Sequence, residues 1–299
     1  MIEVSHLNKT YGAKQVLTDI SFTAENGLVT GFVGPNGAGK STTMRLIAAL
    51  EKPDSGTATV DGAPFAESKT PAAVLGVYLG GDYLPNNMTG SAYLSYVCRV
   101  DGVPQTEVPN LLDTVGLSGA GGNKIISYSL GMRQRIGLAA ALAGNPSTLM
   151  LDEPVNGLDP MGVQWIRDVV REQAAQGKAV LLSSHLLSEL ELVADKVVML
   201  NSGRIVKQGM MSELASEAGG KRTLLKTSND QRIANLLLNQ GNSARLTAGG
   251  VLVDEVAPDV LARFVIINGL ALYRLEEKHE SLEELFFEAA AQTEVVNHA

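Results

Sequence analysis

The sequence predicts an α/β fold with a smaller α+β domain attached at its C-terminal end, and three observations predict it. From about residue 70 to 210, helical patterns alternate with short apolar runs (LMLD, AVLLSS, KVVML) rich in Val and Leu. Such runs are expected of parallel strands covered on both faces. A glycine-rich segment, GPNGAGKST at 34–42, lies between a strand pattern and a helical one. Beyond the Gly219-Gly220 pair the rhythm changes again, to short strands interleaved with two helices.

Composition sets limits on function. At 299 residues the chain is long enough for two domains with well-buried cores. Aromatic residues make up only 5%, so the core rests mainly on Leu, Val, Ile and Ala. A net charge of -8 argues against a nucleic-acid binder, which normally presents a basic face. The single cysteine, Cys98, leaves no internal disulfide partner and reads as a small half-buried hydrophobe in a reducing compartment. The start MIEVSHLNKTYG lacks the basic and apolar stretches of a signal peptide. IGLAAALAG and FVIINGLAL are too short and too broken by Gly or Asn to span a bilayer, so the chain is not expected to enter a membrane by itself.

The elements follow in order. IEVSHL, VLTDISFTA and GLVTGFVG in the first 60 residues alternate polar and apolar positions between turn residues, which reads as strands. The alternation of helices and buried strands then runs to about 210, and Gly219-Gly220 marks a linker. The domains are expected at 1–218 and 219–299. In the tail, KRTLLKT is strand-like and NDQRIANLLLNQG is helical up to Gly241. NSARLT and GVLVDEV are strands around the Gly249-Gly250 turn, PDVLARFVIING is a second helix, and ALYRLEE is a last strand. The order β-α-β-β-α-β is the split arrangement of a ferredoxin-like domain. A final helix is expected at SLEE, where Ser281 and Glu284 have capping-box spacing.

GPNGAGKST fits G-x-x-x-x-G-K-[ST] in its proper strand–loop–helix setting. By composition the full pattern arises by chance in a chain this long on the order of 1% of the time, which sets aside an ordinary glycine turn. Gly34, Pro35, Asn36, Gly37, Ala38 and Gly39 form a loop whose N–H groups turn inward as an anion nest. The helix N-terminus adds partial positive charge. Lys40 is placed to bridge the β- and γ-phosphates of a nucleotide, Ser41 to ligate Mg²⁺, and Thr42 to add a phosphate contact.

STLMLDEP is an apolar strand ending in two carboxylates, at the sheet edge where α/β folds bind ligands. Asp152 is the expected Mg²⁺ residue, through the water shell that Mg²⁺ retains. Glu153 can take a proton from an attacking water. Alone, Asp-Glu after a strand would read as a solvated turn; beside a phosphate loop the odds reverse. The next strand, AVLLSSH, ends in His185, from where an imidazole can reach the γ-phosphate or orient the water and Glu153. YSLGMRQR at 128–135 opens an apolar helix with Ser129 as a good N-cap. The N–H groups near Gly131 and the Ser129 hydroxyl could also grip a phosphate at that positive helix end.

GPNGAGKST, YSLGM, LMLDEP, GLDP and SSH occur in the order and spacing of an ATP-binding cassette, so residues 1 to about 215 resemble an ABC transporter ATPase subunit. The likeness is to drug and antibiotic-peptide exporters whose membrane domain is a separate chain. It implies a P-loop core with an antiparallel β subdomain and a helical subdomain at about 85–145. It implies head-to-tail dimers, homomeric or paired with another cassette, holding two ATP between them. It implies a membrane-spanning permease as partner, and a cytoplasmic place on the inner face of the cell membrane through that partner. Tyr11 in KTYG then fits the aromatic that stacks on adenine, against an alternative as a β-subdomain core residue. Asp159 in GLDP fits the loop that couples the two sites, and His185 the switch histidine. Ser129 and Gly131 would face the phosphate held by Lys40 of the other subunit.

Two departures from the family pattern stand out. Tyr128, Leu130 and Met132 replace the first, third and fifth residues of the usual LSGGQ. Gly80 stands where the family normally has a Gln that reaches Mg²⁺, and no Gln occurs between Gln15 and Gln105. Water or Asp82 would have to complete the ion's shell. The stretch from Gly80 to about Tyr96 is the expected docking surface for the membrane partner. Other classes remain open: a soluble cassette acting on ribosomes or nucleic acid, or a phosphate-loop kinase or switch. The first would carry tandem cassettes and a basic linker, or a long coiled-coil insertion; the second has no use for SLGM, GLDP or the His-ended strand.

Overall fold

The computed structural model describes residues 1–80, 83–218, 221–247 and 249–279. The chain divides into two compact units, Met1–Met211 and Ser212–Ala299. The Gly219-Gly220 pair, Asp82 and the Ser281–Glu284 capping box lie outside the described residues.

The first unit contains two sheets. β1 (Ile2–Tyr11), β2 (Lys14–Ala24) and β4 (Ser55–Val60) form an antiparallel sheet in the order β2-β1-β4. Between β2 and β4 run β3 (Val29–Val33) and helix α1 (Lys40–Ile47). β3 lies in the second sheet with β5 (Leu75–Tyr78), β6 (Thr148–Leu151), β7 (Ala179–Ser184), β8 (Lys196–Asn201) and β9 (Arg204–Met210). Its order is β5-β6-β7-β3-β8-β9, parallel except for β9. All residues of β3, β6 and β7 are buried, as their unbroken apolar runs require. Phe22 and Phe32 stack at 5.2 Å between centroids and tie the two sheets together.

Helix α2 (Pro71–Val74) leads into β5. A helical layer of α3 (Gly90–Val100), α4 (Val108–Thr114) and α5 (Leu130–Leu142) has its own core around Leu94, Leu112, Ile125 and Ile136. Cys98 belongs to this core with no exposure, so it is fully rather than half buried. Glycines let α5 lie close against β5: a Cβ on Gly76 would stand 2.0 Å from the Ala141 carbonyl oxygen. One on Gly137 would stand 2.5 Å from the Tyr78 ring. Because α3 begins at Gly90, the expected docking stretch is helix, not loop, from that residue on. Helices α6 (Pro160–Ala175) and α7 (Leu187–Leu190) follow β6 and β7.

α8 (Met211–Ala218) begins at the last residue of the first unit and leads into the second. β10 (Lys221–Thr227), α9 (Asp230–Asn239), β11 (Ala244–Thr247), β12 (Gly250–Asp254), α10 (Pro258–Ile267) and β13 (Leu272–His279) are its further described elements. The sheet order is β11-β12-β10-β13, antiparallel throughout, which is the ferredoxin-like topology the sequence pattern predicts. Its core gathers Leu225, Ile233, Leu237, Val251, Val253 and Val265.

Candidate nucleotide site

The phosphate loop joins the buried end of β3 to α1. Gly39 takes φ 111°, a left-handed backbone that a side chain would strain, and a Cβ there would stand 2.5 Å from Leu17 Cδ2. α1 therefore starts abruptly, with no side-chain cap on its first turn. Its orphan N–H groups and helix dipole are left for an anion. Lys40 is 6% exposed, and its ammonium donates to the Gly34 carbonyl at 2.6 Å.

The same ammonium lies 3.2 Å from Glu153 Oε1, and Glu153 Oε2 is 2.8 Å from His185 Nδ1. Lys40, Glu153 and His185 thus form one line of contacts joining the ends of β3, β6 and β7. Glu153 has a backbone φ of 48°, uncommon for a residue with a side chain and frequent at functional sites. Its carboxylate is positioned by the line of contacts, and its N–H donates to Ser183 Oγ at 2.9 Å. Asp152, 8% exposed, accepts from the same Ser183 hydroxyl at 2.5 Å.

Ser183 thus organises both acids, a role the sequence reading missed. The signal was there: a hydroxyl residue inside the buried run AVLLSS. Its neighbour Ser184 donates to Glu189 at 2.6 Å and accepts from the Leu186 N–H at 3.0 Å, which fixes the turn that carries His185.

Ser41 and Asp152 line one cleft of about 490 Å³ with Gly80, Tyr83 and Tyr93. Their hydroxyl and carboxylate are the hard oxygen donors Mg²⁺ takes. Among the described residues no group of three His, Cys, Asp or Glu is placed to hold a metal ion. Gly80 has φ 101°, with open space around its missing side chain. A Gln at this position would be strained in this backbone.

The remaining predicted residues fall in two places. Tyr11 ends β1, 44% exposed, which removes its alternative as a core residue. Its hydroxyl donates to Glu51, and Lys9 Nζ sits 5.2 Å from its ring centre. The hydrogen bond to Glu51 is the largest cause holding the phenol above its usual pKa. Ser129 caps α5, its Oγ accepting from the Met132 N–H at 3.3 Å. Asp159 caps α6, accepting from the Gly162 N–H at 2.7 Å.

The family described as "ABC transporter" matches residues 17–156. An uncharacterized ABC transporter ATP-binding protein of Bacillus subtilis (strain 168), YhcH, is 34% identical over 100% of this chain and 99% of its own length. The bacitracin transport ATP-binding protein BcrA of Enterococcus faecalis is 32% identical, covering 96% of this chain and 95% of that protein. The lantibiotic transport ATP-binding protein SrtF of Streptococcus pyogenes is also 32% identical, over 77% of this chain and 97% of its own. Among solved structures, an ATP-binding subunit of an ABC transporter is 28% identical with a TM-score of 0.66, covering 73% of this chain and 93% of that one. MJ0796, a bacterial ABC transporter cassette solved as a dimer, shares the fold at 22% identity and a TM-score of 0.65, over 71% of this chain and 99% of its own.

Proposed function

This chain belongs to the ABC transporter family as an ATP-binding, ATP-hydrolysing subunit, and from that premise we propose that two cassettes close around two ATP molecules to drive export through a separate membrane permease. The observation that carries the catalytic part is the line Lys40–Glu153–His185, at 3.2 and 2.8 Å, beside the phosphate loop.

In this reading the N–H groups of residues 34–42 and the Lys40 ammonium bind the phosphates. Tyr11 stacks on the adenine. Ser41 and Asp152 hold Mg²⁺, which supplies neutralising charge to the phosphate oxygens when bound. Water takes the place in its shell that a side chain at residue 80 would fill. Glu153 accepts the proton of the attacking water, and His185 keeps that carboxylate aimed. Ser129 and Gly131 of one cassette grip the γ-phosphate in the other, and Asp159 lies on the loop between the two sites. The signature end of α5, with Leu130 half exposed, supports a pair, since it is open to a second molecule.

The permease would dock on the stretch from Gly80 to about Tyr96, which includes the first turns of α3, beside the cleft that reaches Ser41 and Asp152. No helix among the described residues is long and apolar enough to cross a membrane, so the translocation path is assigned to the partner. The chain would then sit on the cytoplasmic face of that partner. Relatives named for bacitracin and lantibiotic transport point to a peptide antibiotic as cargo.

Recovering the native membrane partner by affinity purification and placing both in vesicles tests this reading. ATP-dependent movement of a peptide antibiotic is the expected result. Hydrolysis with no membrane chain recovered, and the protein on ribosomes instead, would overturn it.

A further inference from the structure

Leu130 is where this signature departs most from a small residue, and its side chain has a specific seat. Its Cδ2 lies 2.4 Å from the point a Cβ on Gly157 would occupy. Gly157 has a left-handed backbone, φ 70°, and its bare Cα forms the notch that Leu130 fills. One turn further along α5, Gln134 is 4% exposed and donates from Nε2 to the Asn156 carbonyl at 2.5 Å. Its Oε1 is buried without a hydrogen-bond partner, so the amide is held by that one bond. Beside it, Arg135 stacks over the Trp165 ring of α6 at 4.4 Å.

The segment these residues touch leads straight back to the catalytic acid. The Asn156 N–H donates to the Glu153 carbonyl at 3.3 Å, and the Leu158 N–H to the Val155 carbonyl at 3.2 Å. Two successive turns therefore link Glu153 to Leu158, and Asp159 then starts α6. A displacement of the first turn of α5 has a short packed route to the backbone of Glu153.

We propose that Leu130 and Gln134 are positioning residues that latch the signature end of α5 to the loop behind Glu153, so that a phosphate gripped by Ser129 and Gly131 sets the Glu153 carboxylate of the same chain. Each cassette then senses the other's ATP through its own signature helix. This rests on the paired-cassette reading above. It adds that the steric match of Leu130 with Gly157 sets the rate of hydrolysis, not the affinity for nucleotide.

The test is a double-mutant cycle on the full chain: wild type, Leu130→Gly, Gly157→Ala and both together. Steady-state hydrolysis gives kcat and KM, a fluorescent ATP analogue gives the affinity of the dilute monomer, and thermal melting confirms folding. Gly157→Ala should lower kcat on the order of tenfold when Leu130 is intact, and less than about twofold when it is added to Leu130→Gly. Monomer affinity should not change. The left-handed strain at residue 157 is common to both backgrounds, so the difference isolates the clash with Leu130. Equal falls in both backgrounds overturn the latch.

Gln134→Met, close in shape but without the donor, is the second arm if Gly157→Ala does not fold. It should lower kcat with monomer affinity intact, and an unchanged kcat overturns the proposal. A wild-type chain that binds and hydrolyses ATP without ever pairing would instead overturn the reading beneath it. A wild type with no hydrolysis would overturn both.

Discussion

Three helices of this protein begin in three different ways, and each way matches a different task. α1 starts from a left-handed Gly39 with no side-chain cap, on a loop buried enough to leave Lys40 only 6% exposed. α5 starts from Ser129 with a long 3.3 Å cap and a half-exposed Leu130 beside it. In the tail, α9 starts from Asn229, whose side chain accepts from the Arg232 N–H at 3.0 Å. Its first residue, Asp230, binds Lys226 at 2.6 Å and the Thr227 N–H at 2.8 Å. All three ends offer the same unsatisfied N–H groups and positive dipole. α1 has no side-chain cap and leaves all of them free, whereas α5 and α9 each satisfy one, through Ser129 and Asn229; in the proposed pair the α5 end supplies half of a site.

The contrast can be broken by substitution. The largest effect is expected at the acid facing α1: Glu153→Gln should retain ATP but lower turnover by roughly 10²–10⁴-fold, as loss of a general base does. Steady-state hydrolysis reads it, and full activity would remove Glu153 from the mechanism.

Tyr11→Ala comes next, weakening ATP binding by roughly 1–3 kcal/mol if the exposed ring stacks on the base. Calorimetry with ATP and with triphosphate alone separates stacking from phosphate contacts; equal losses for both ligands would contradict stacking. At α5, Ser129→Ala should cost about 0.5–2 kcal/mol of folding stability as a lost cap. It should leave monomer ATP affinity alone and prevent pairing. A variant that still dimerises with ATP would reduce Ser129 to a cap like Asn229.

The smallest effect belongs to α9. Burial pushes the Asp230 carboxyl up, but hydrogen bonds from Lys226 and Thr227 and the Lys226 charge outweigh it and hold the pKa below its usual value. A depressed folded-state pKa contributes stability above the unfolded carboxylate pKa, lost as pH falls through the folded value. Asp230→Asn should therefore melt below wild type at neutral pH, with the gap closing in acid. A gap independent of pH would mean that the ion pair contributes nothing.

How legible these ends were in the sequence follows from how local they are. GPNGAGKST carries its meaning within nine consecutive residues, because the glycine conformations and the helix start are set there. The tail's topology was equally readable, since its strands, helices and turns alternate cleanly. The hydroxyl of Ser183 was visible inside AVLLSS but its role was not, because that role arises only when β6 and β7 pair and bring it between Asp152 and the Glu153 N–H. The match of Leu130 with Gly157 was likewise hidden, each residue looking on its own like a mere departure or a turn. Gly80 read as a missing ligand, and the structure adds that its backbone, at φ 101°, disfavours the side chain the family usually carries there. Cys98 read as half buried because α3 alone does not reveal the core that α4 and α5 complete around it.

The most direct test of the paired site is sedimentation of the full chain carrying Glu153→Gln, with Mg²⁺, in the presence and absence of ATP. A catalytic unit made of two half-sites predicts a monomer without nucleotide and a dimer with ATP, reverting to monomer when Ser129→Ala is added. A protein that saturates with ATP and remains monomeric would contradict it.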